Sequence, residues 1–341
     1  MRDVVIFTRQ FSTMINAGLP LVQALNILAE QSESKTLRGV TGQVARQVEA
    51  GSTLADALRR HPRTFDDLFT NLVEVGEAGG ILDVVLQRLA AYIEKAAALK
   101  RKVKAAMVYP AAIIGVAVMV VIFMLTFVIP TFAQMFQDLG ADLPLPTKVV
   151  LWLSTFVRTY ILLIIAGMIG CILAFRSYYR TENGRATIDA LMLKLPVFGT
   201  LVRKVAVARF TRTLGTLVQS GVPILDGLRI TARTAGNKVV EKAVLQCRAA
   251  VTEGKTLAEP LRSSGVFPPM VTQMISVGEQ TGALDAMLSK IADFYDDEVD
   301  TAVSTLTSLL EPIMIVFLGV VVGGLVVAMY LPIFKLVTLV K

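Results

Sequence analysis

Ala249 to Thr256 reads Ala-Ala-Val-Thr-Glu-Gly-Lys-Thr, a relaxed version of the phosphate-loop pattern in which glycine, lysine and a hydroxyl residue wrap the phosphates of a nucleotide. That wrapping depends on a glycine-rich loop that leaves a strand and turns consecutive N–H groups onto the phosphates. Here alanine stands at the first glycine position, the residues before it have helical character, and the corresponding stretch of the first half, Gly51-Ser52-Thr53, has no lysine. The segment is expected to be a helix–turn–helix junction, and the chain is not expected to hydrolyse nucleotide. His61, beside Pro62, is the only histidine, with no Ser, Cys or metal-ligand constellation to accompany it; it is expected to face solvent in a loop. Cys171 and Cys247 show neither metal-ligand spacing nor a disulfide framework. Glu311 lies at the mouth of an apolar stretch, where a carboxylate would suggest an ion pathway, but at that edge it reaches water. Arg158 is placed to snorkel, and neither residue has a partner for a proton relay. No catalytic residue, metal or cofactor is expected, and the chain is not expected to be an enzyme.

Two further carboxylates recur. Gly76-Glu77-x-x-Gly80 with Asp83 returns 202 residues later as Gly278-Glu279-x-x-Gly282 with Asp285. Two readings of these eight residues stay open. In one they form a helix terminus, with glycine supplying unusual backbone angles and the carboxylates favouring free N–H groups at a helix start. In the other they form a partner-contact or hinge corner.

The recurrence extends along most of the chain. Phe7-Thr8-Arg9 and Gly18-Leu19-Pro20 return 203 residues later as Phe210-Thr211-Arg212 and Gly221-Val222-Pro223. Pro110 matches Pro312 and Pro130 matches Pro332 at an offset of 202, so the first copy carries one extra residue between Leu58 and Phe65.

The elements that hold these residues follow from hydropathy. The 341 residues are 54% hydrophobic and 18% charged. Val108 to Pro130 and Pro312 to Phe334 are each 23 residues without a charge, and Thr159 to Phe175 is 17. About 20 apolar residues span a bilayer core as a helix, which satisfies its own backbone groups there. Pro110, Glu311 and Pro312 mark where two of the spans enter the membrane. Lys95, Lys100, Arg101, Lys102 and Lys104 precede the first span, and Arg176, Arg180 and Arg185 follow the second, so the positive-inside rule places both polar modules in the cytoplasm. The middle span has no repeat partner and carries the chain back across.

The expected fold is an all-α integral membrane protein with two duplicated cytoplasmic modules of about six helices and three transmembrane helices. Its expected parts are a first repeat over 1–107, a span over 108–131, a periplasmic loop over 132–149, a span over 150–175, a second repeat over 176–308, a span over 309–334 and a short periplasmic tail over 335–341. Leu82, Val85, Leu86, Leu89, Tyr92 and Ile93 fall on one face of a helix that runs without glycine or proline towards the first span. The approach to the first span is basic, whereas Asp296, Asp297, Glu298 and Asp300 make the approach to the third acidic. These stretches are expected to face different partners, or each other. The net charge of +7 is spread over both modules, which suits an anionic bilayer surface and lacks the clustered patch that nucleic acid requires.

Phe-Thr-Arg-Gln with Ala-Gly-Leu-Pro-Leu, then Val-Gly-Glu-Ala-Gly-Gly-Ile-Leu-Asp, then Tyr109-Pro110 opening a span, duplicated over essentially the whole chain, resemble the inner-membrane platform proteins of type IV pilus assembly and type II secretion (the PilC/GspF family). Phe65-Asp66-Asp67-Leu68-Phe69 and Leu139-Gly140-Ala141-Asp142-Leu143-Pro144 look more like the pilus branch. Family members usually carry a longer segment before Phe-Thr-Arg; here six residues precede Phe7. The resemblance implies a non-catalytic platform in the bacterial inner membrane. It would couple a hexameric assembly ATPase, and a retraction ATPase, to extraction of pilin transmembrane helices. Other inner-membrane assembly proteins are implied as partners, together with self-association as a dimer. The alternative is a secretion platform that drives a pseudopilus. A transporter is more remote: it would bind substrate among broken, polar helices, whereas Gly323-Gly324 reads as close helix packing.

Overall fold

The computed structural model describes residues 2–138, 144–196 and 198–339; the Leu139 to Leu143 part of the pilus-like motif lies outside them. Every regular element among the described residues is helical. The helices are α1 Arg2–Asn16, α2 Leu21–Gln31, α3 Lys35–Glu49, α4 Leu54–Arg59, α5 Asp67–Ala78 and α6 Leu82–Phe123, then a π-helical turn Met124–Val128 and α7 Ile129–Asp138. There follow α8 Leu145–Arg180, α9 Glu182–Lys194, α10 Phe198–Gln219, α11 Ile224–Thr234, α12 Lys238–Thr252, α13 Ala258–Ser263, α14 Pro269–Thr281 and α15 Leu284–Leu339. The chain forms two compact units. One holds Met1–Lys102 and Ala186–Ala302; the other holds Val103–Arg185 and the chain from Val303 onward.

The first unit contains both polar modules, and the duplication is visible in it helix by helix: α1 to α6 correspond to α10 to α15. Helix starts are capped by the residues that favour the role. Ser34 accepts from the Leu37 N–H, Asp66 from Phe69, and Asn237 from Val239 and Val240. Each module closes on its own aromatic pair. Phe7 meets Phe65 at 5.6 Å between ring centroids, and Phe210 meets Phe267, their repeat equivalents, at 4.7 Å. Helix α9 has no counterpart in the first copy. It docks through the buried Asp189, whose carboxylate accepts from the Lys238 N–H at 2.7 Å at the start of α12.

Cys247 is fully buried in the second core, and burial pushes its thiol up to about 12. The thiolate is the reactive species, so Cys247 is expected to resist maleimide at pH 8 until its module opens. Its labelling rate, followed by mass spectrometry, should rise only with denaturant.

The second unit holds three helices long and apolar enough to cross a membrane. Helix α7 continues to Asp138 and α15 to Leu339. Polar residues such as Gln134 and Gln137 are good helix formers, so loss of hydropathy does not end a helix.

The π-helical turn has a local cause. In that geometry each N–H reaches the carbonyl five residues back, and Ile129 N–H bonds the Met124 carbonyl accordingly. The next donor should serve the Leu125 carbonyl, but it falls at Pro130, which has none. The Ser154 hydroxyl from α8 donates to that carbonyl instead. Replacing Ser154 by alanine leaves a buried carbonyl unpaired and is expected to cost about 0.5–2 kcal/mol. Threonine should retain most of the stability in a detergent unfolding titration.

Candidate functional site

The repeated Gly-Glu motif forms a corner where three helices meet, and it does so twice. At the end of α5, Gly80 adopts φ +67°, and Gly282 adopts +71° at the end of α14. That left-handed conformation reverses the chain into the long helices α6 and α15. Gly76 lies where α6 crosses α5: a Cβ there would sit 3.0 Å from Val85 Cβ and 3.2 Å from Leu82 Cα. At Gly278 it would sit 3.0 Å from Leu284 Cα. Asp83 and Asp285 occupy the first turns of α6 and α15, where the helix dipole favours a negative charge.

Glu77 caps a helix, but not the one that follows it. Its two carboxylate oxygens accept from the N–H groups of Leu54 at 2.8 Å and Ala55 at 3.2 Å, at the start of α4. Glu279 accepts from Leu257 and Ala258 at the start of α13 in the same way. The helix-terminus reading of the sequence therefore holds in kind, with a different helix as the recipient. In the first copy Thr53 adds a third cap by accepting from the Asp56 N–H; Leu257, the equivalent helix start in the second copy, has no side-chain cap. Distance along the chain, over 20 residues, hid this partnership from the sequence. The retained Thr-Leu-Ala of both copies, Thr53 to Ala55 and Thr256 to Ala258, was its only signal.

The same geometry explains the phosphate-loop-like segment. Helix α12 ends at Thr252 and α13 begins at Ala258, so Gly254, Lys255 and Thr256 form a junction between helices. The N–H groups that would face a phosphate at such a helix start are those of Leu257 and Ala258, and the Glu279 carboxylate already holds them. Lys255 lies 3.6 Å from Glu253. His61 differs from expectation. It is half-buried rather than exposed, its Nε2 is enclosed by protein, and its backbone N–H closes a turn onto Leu58. Pro110 lies within the unbroken α6, while Glu311 and Pro312 lie within α15 on exposed positions.

The oppositely charged approaches face each other. Lys95 on α6 bonds Asp293 on α15 at 2.9 Å, and Lys102 bonds Asp300. Arg212 joins Asp293 at 2.7 Å and Asp296 at 2.6 Å. Its repeat equivalent, Arg9, holds Glu94 in a two-pronged pair, so the arginine of Phe-Thr-Arg pairs with the long helix of its own module in both copies. The seam between the modules also contains Tyr92 Oη against Thr213 Oγ1 at 3.0 Å, Arg88 donating to the Gln219 carbonyl, and Arg233 paired with Asp67. Leu217, Val222 and Ile230 of the second module are buried in the first module's core. Exposed ion pairs contribute about 0–1 kcal/mol each, and burying one such aliphatic side chain contributes about 1.5–3 kcal/mol. Apolar contact therefore holds the seam, and the ion pairs set its register. A cleft of about 680 Å3 opens along the seam beside Arg63, Arg209 and Arg233.

The pattern of the type II secretion system protein F family matches residues 7–130 and again residues 210–332, which are the two copies described above. Over 98% of this chain and 80% of the relative, the sequence is 52% identical to a type IV pilus assembly protein PilC of Myxococcus xanthus. It is 47% identical to a type IV pilus assembly protein PilC of Thermus thermophilus over 99% of this chain and 83% of the relative. A type II secretion system protein F of Pseudomonas aeruginosa is 35% identical over 98% of this chain and 83% of its own length.

Proposed function

The chain belongs to the type II secretion system protein F family, and from that premise we infer that it is a non-catalytic platform of type IV pilus assembly in the bacterial inner membrane. Its polar unit lies in the cytoplasm against a hexameric assembly ATPase, and its apolar helices contact pilin helices in the bilayer. Motion imposed on the polar unit by nucleotide hydrolysis in that partner lifts pilin into the filament base. The observation that carries this reading is the continuity of α6 and α15, of 42 and 56 residues. Each begins at a repeated corner in a polar module and runs into an apolar span without a loop. A helix of 42 residues is about 63 Å long, and in each copy the chain passes from the corner to the apolar span within one helix. Higher identity to pilus-assembly proteins than to secretion F proteins favours the pilus branch.

The test is deletion of the gene in its host, with sheared surface filaments scored by microscopy and membrane pilin measured as control. Loss of filaments at normal pilin levels, restored by the full chain, is the expected result. Normal filaments with loss of a secreted soluble protein would move the reading to the secretion platform. Normal filaments together with normal secretion would overturn it.

A further inference from the structure

The seam between the modules joins two unlike faces. The first module offers α5 and α6; the second receives them on α10 and α11. Because the modules are repeats, both faces exist a second time, on α14 and α15 of the second module and on α1 and α2 of the first. Among the described residues α15 meets α6 through Asp293 and Asp300 and not through Lys290 and Phe294, the equivalents of the seam residues Arg88 and Tyr92. We propose that they bind each other between two copies of this chain, so that the second module of one copy seats on the first module of the next as the modules seat within one chain.

Corresponding positions are covered at the seam and more exposed on the second pair of faces. Leu68 of α5 is 1% exposed, whereas its equivalent Met270 is 38% exposed. Tyr92 is half-buried against Thr213, and its equivalent Phe294 is 46% exposed. On the receiving side Leu217 and Val222 are buried, and their equivalents Met14 and Leu19 are only half-covered. Apolar side chains thus persist at both faces and are more exposed than their equivalents at the seam; exposed apolar patches mark association surfaces. A polar contact is also reproduced in kind. Arg88 donates to the carbonyl at the end of α10, and Lys290 and Asn16 occupy the equivalent donor and helix-end positions.

Charge and direction fit the same arrangement. Within the chain basic α6 faces acidic α15. In the repeated contact the roles are exchanged, and α15 of one copy faces α6 of the next. The seam pairs Lys95–Asp293 and Lys102–Asp300 become Asp297 opposite Ala91 and Ser304 opposite Ala98 in the repeated contact, so no like charges meet there. Lys95–Asp293 and Lys102–Asp300 are both spaced seven residues apart in the same sense along the two helices, so α6 and α15 run parallel. Repeating the operation leaves every long helix pointing the same way, as spanning one bilayer requires. A head-to-tail contact of this type closes into a ring when its rotation divides a full turn.

The proposal is tested with the full-length chain in detergent, in a background of Cys171→Ser and Cys247→Ala. One preparation carries Asn16→Cys and another, differently tagged, carries Lys290→Cys. A short bis-maleimide should link the two only when they are mixed, giving a heterodimer. Arg88→Cys with Gln219→Cys in a single chain should link within the chain and reports a folded seam. Adding Phe294→Asp should reduce the mixed product by about tenfold or more while leaving the intrachain link intact. The proposal is overturned if the intrachain link forms without the mixed one. It is also overturned if either single variant links to itself as strongly, because that would indicate a face-to-face contact. A protein that stays monomeric in light scattering, or a mixed link indifferent to Phe294→Asp, overturns it as well.

Discussion

Glu279→Ala is expected to destabilise the second module by about 2–3 kcal/mol, and Glu77→Ala to destabilise the first by about 1–2 kcal/mol. Each substitution strips a carboxylate from two N–H groups at a helix start, and hydrogen bonds to a charged group are about twice as strong as neutral ones. The difference between the copies comes from Thr53, which still caps α4 when Glu77 is lost, whereas α13 has no side-chain cap in reserve. Glutamine keeps one acceptor and turns an amide N–H towards the other donor, so each Glu→Gln change should fall about halfway. Cys247 packs in the core beside the Leu257 carbonyl, so its maleimide labelling measures the loss directly. At about 1.4 kcal/mol per decade, Glu279→Ala should raise the labelling rate by roughly 30- to 150-fold. The same variants separate capping from partner contact. If the carboxylates act mainly on a partner, Glu→Gln abolishes filaments while labelling and unfolding midpoints stay at the wild-type value; that result would sink the capping account.

How far the sequence reached depended on the range of the interaction. The duplication, the all-helical modules and the three spans rest on periodicity and composition, which are local, and the residues carry them openly. Gly80 and Gly282 were legible for the same reason, since a left-handed residue at a helix end is a property of one position. The recipient of Glu77 was not legible, because a carboxylate that caps a helix 22 residues back leaves no local periodicity. The direction faced by Lys95 and Lys102 was narrowed to two outcomes by charge alone, and only the packing of α6 beside α15 selected between them. A Pro-flanked histidine such as His61 has no burial signal of its own; its backbone N–H closes a turn onto Leu58 and its Nε2 is enclosed. Helix α9 escaped because the repeat supplies no template for it.

Gly76→Ala and Gly278→Ala are expected to destabilise their modules by about 1–2 kcal/mol each, against the ordinary direction of such a change. In an open helix alanine is favoured over glycine by about 1 kcal/mol, and Gly39 provides that control within the same module. It is exposed on α3 with no atom within 4 Å of an added Cβ, so Gly39→Ala should be stabilising. At Gly76 the new methyl would stand 3.0 Å from Val85 Cβ, and Val85 is β-branched with little freedom to turn away. At Gly278 the obstacle is the Leu284 backbone itself, at 3.0 Å. Overpacking of this kind costs about 1–3 kcal/mol, which exceeds the helix-propensity gain. Serine at either position adds a hydroxyl to the same clash and should be worse than alanine. Because the strain falls where α6 and α15 leave the corner, part of it can be relieved by tilting the long helix. Gly76→Ala and Gly39→Ala should therefore differ in sign in thermal unfolding, and differ again in a filament assay on the deletion host, where only Gly76→Ala lowers surface pili at equal protein abundance. Equal and stabilising effects at both glycines would mean that α5 and α6 do not meet at their backbones.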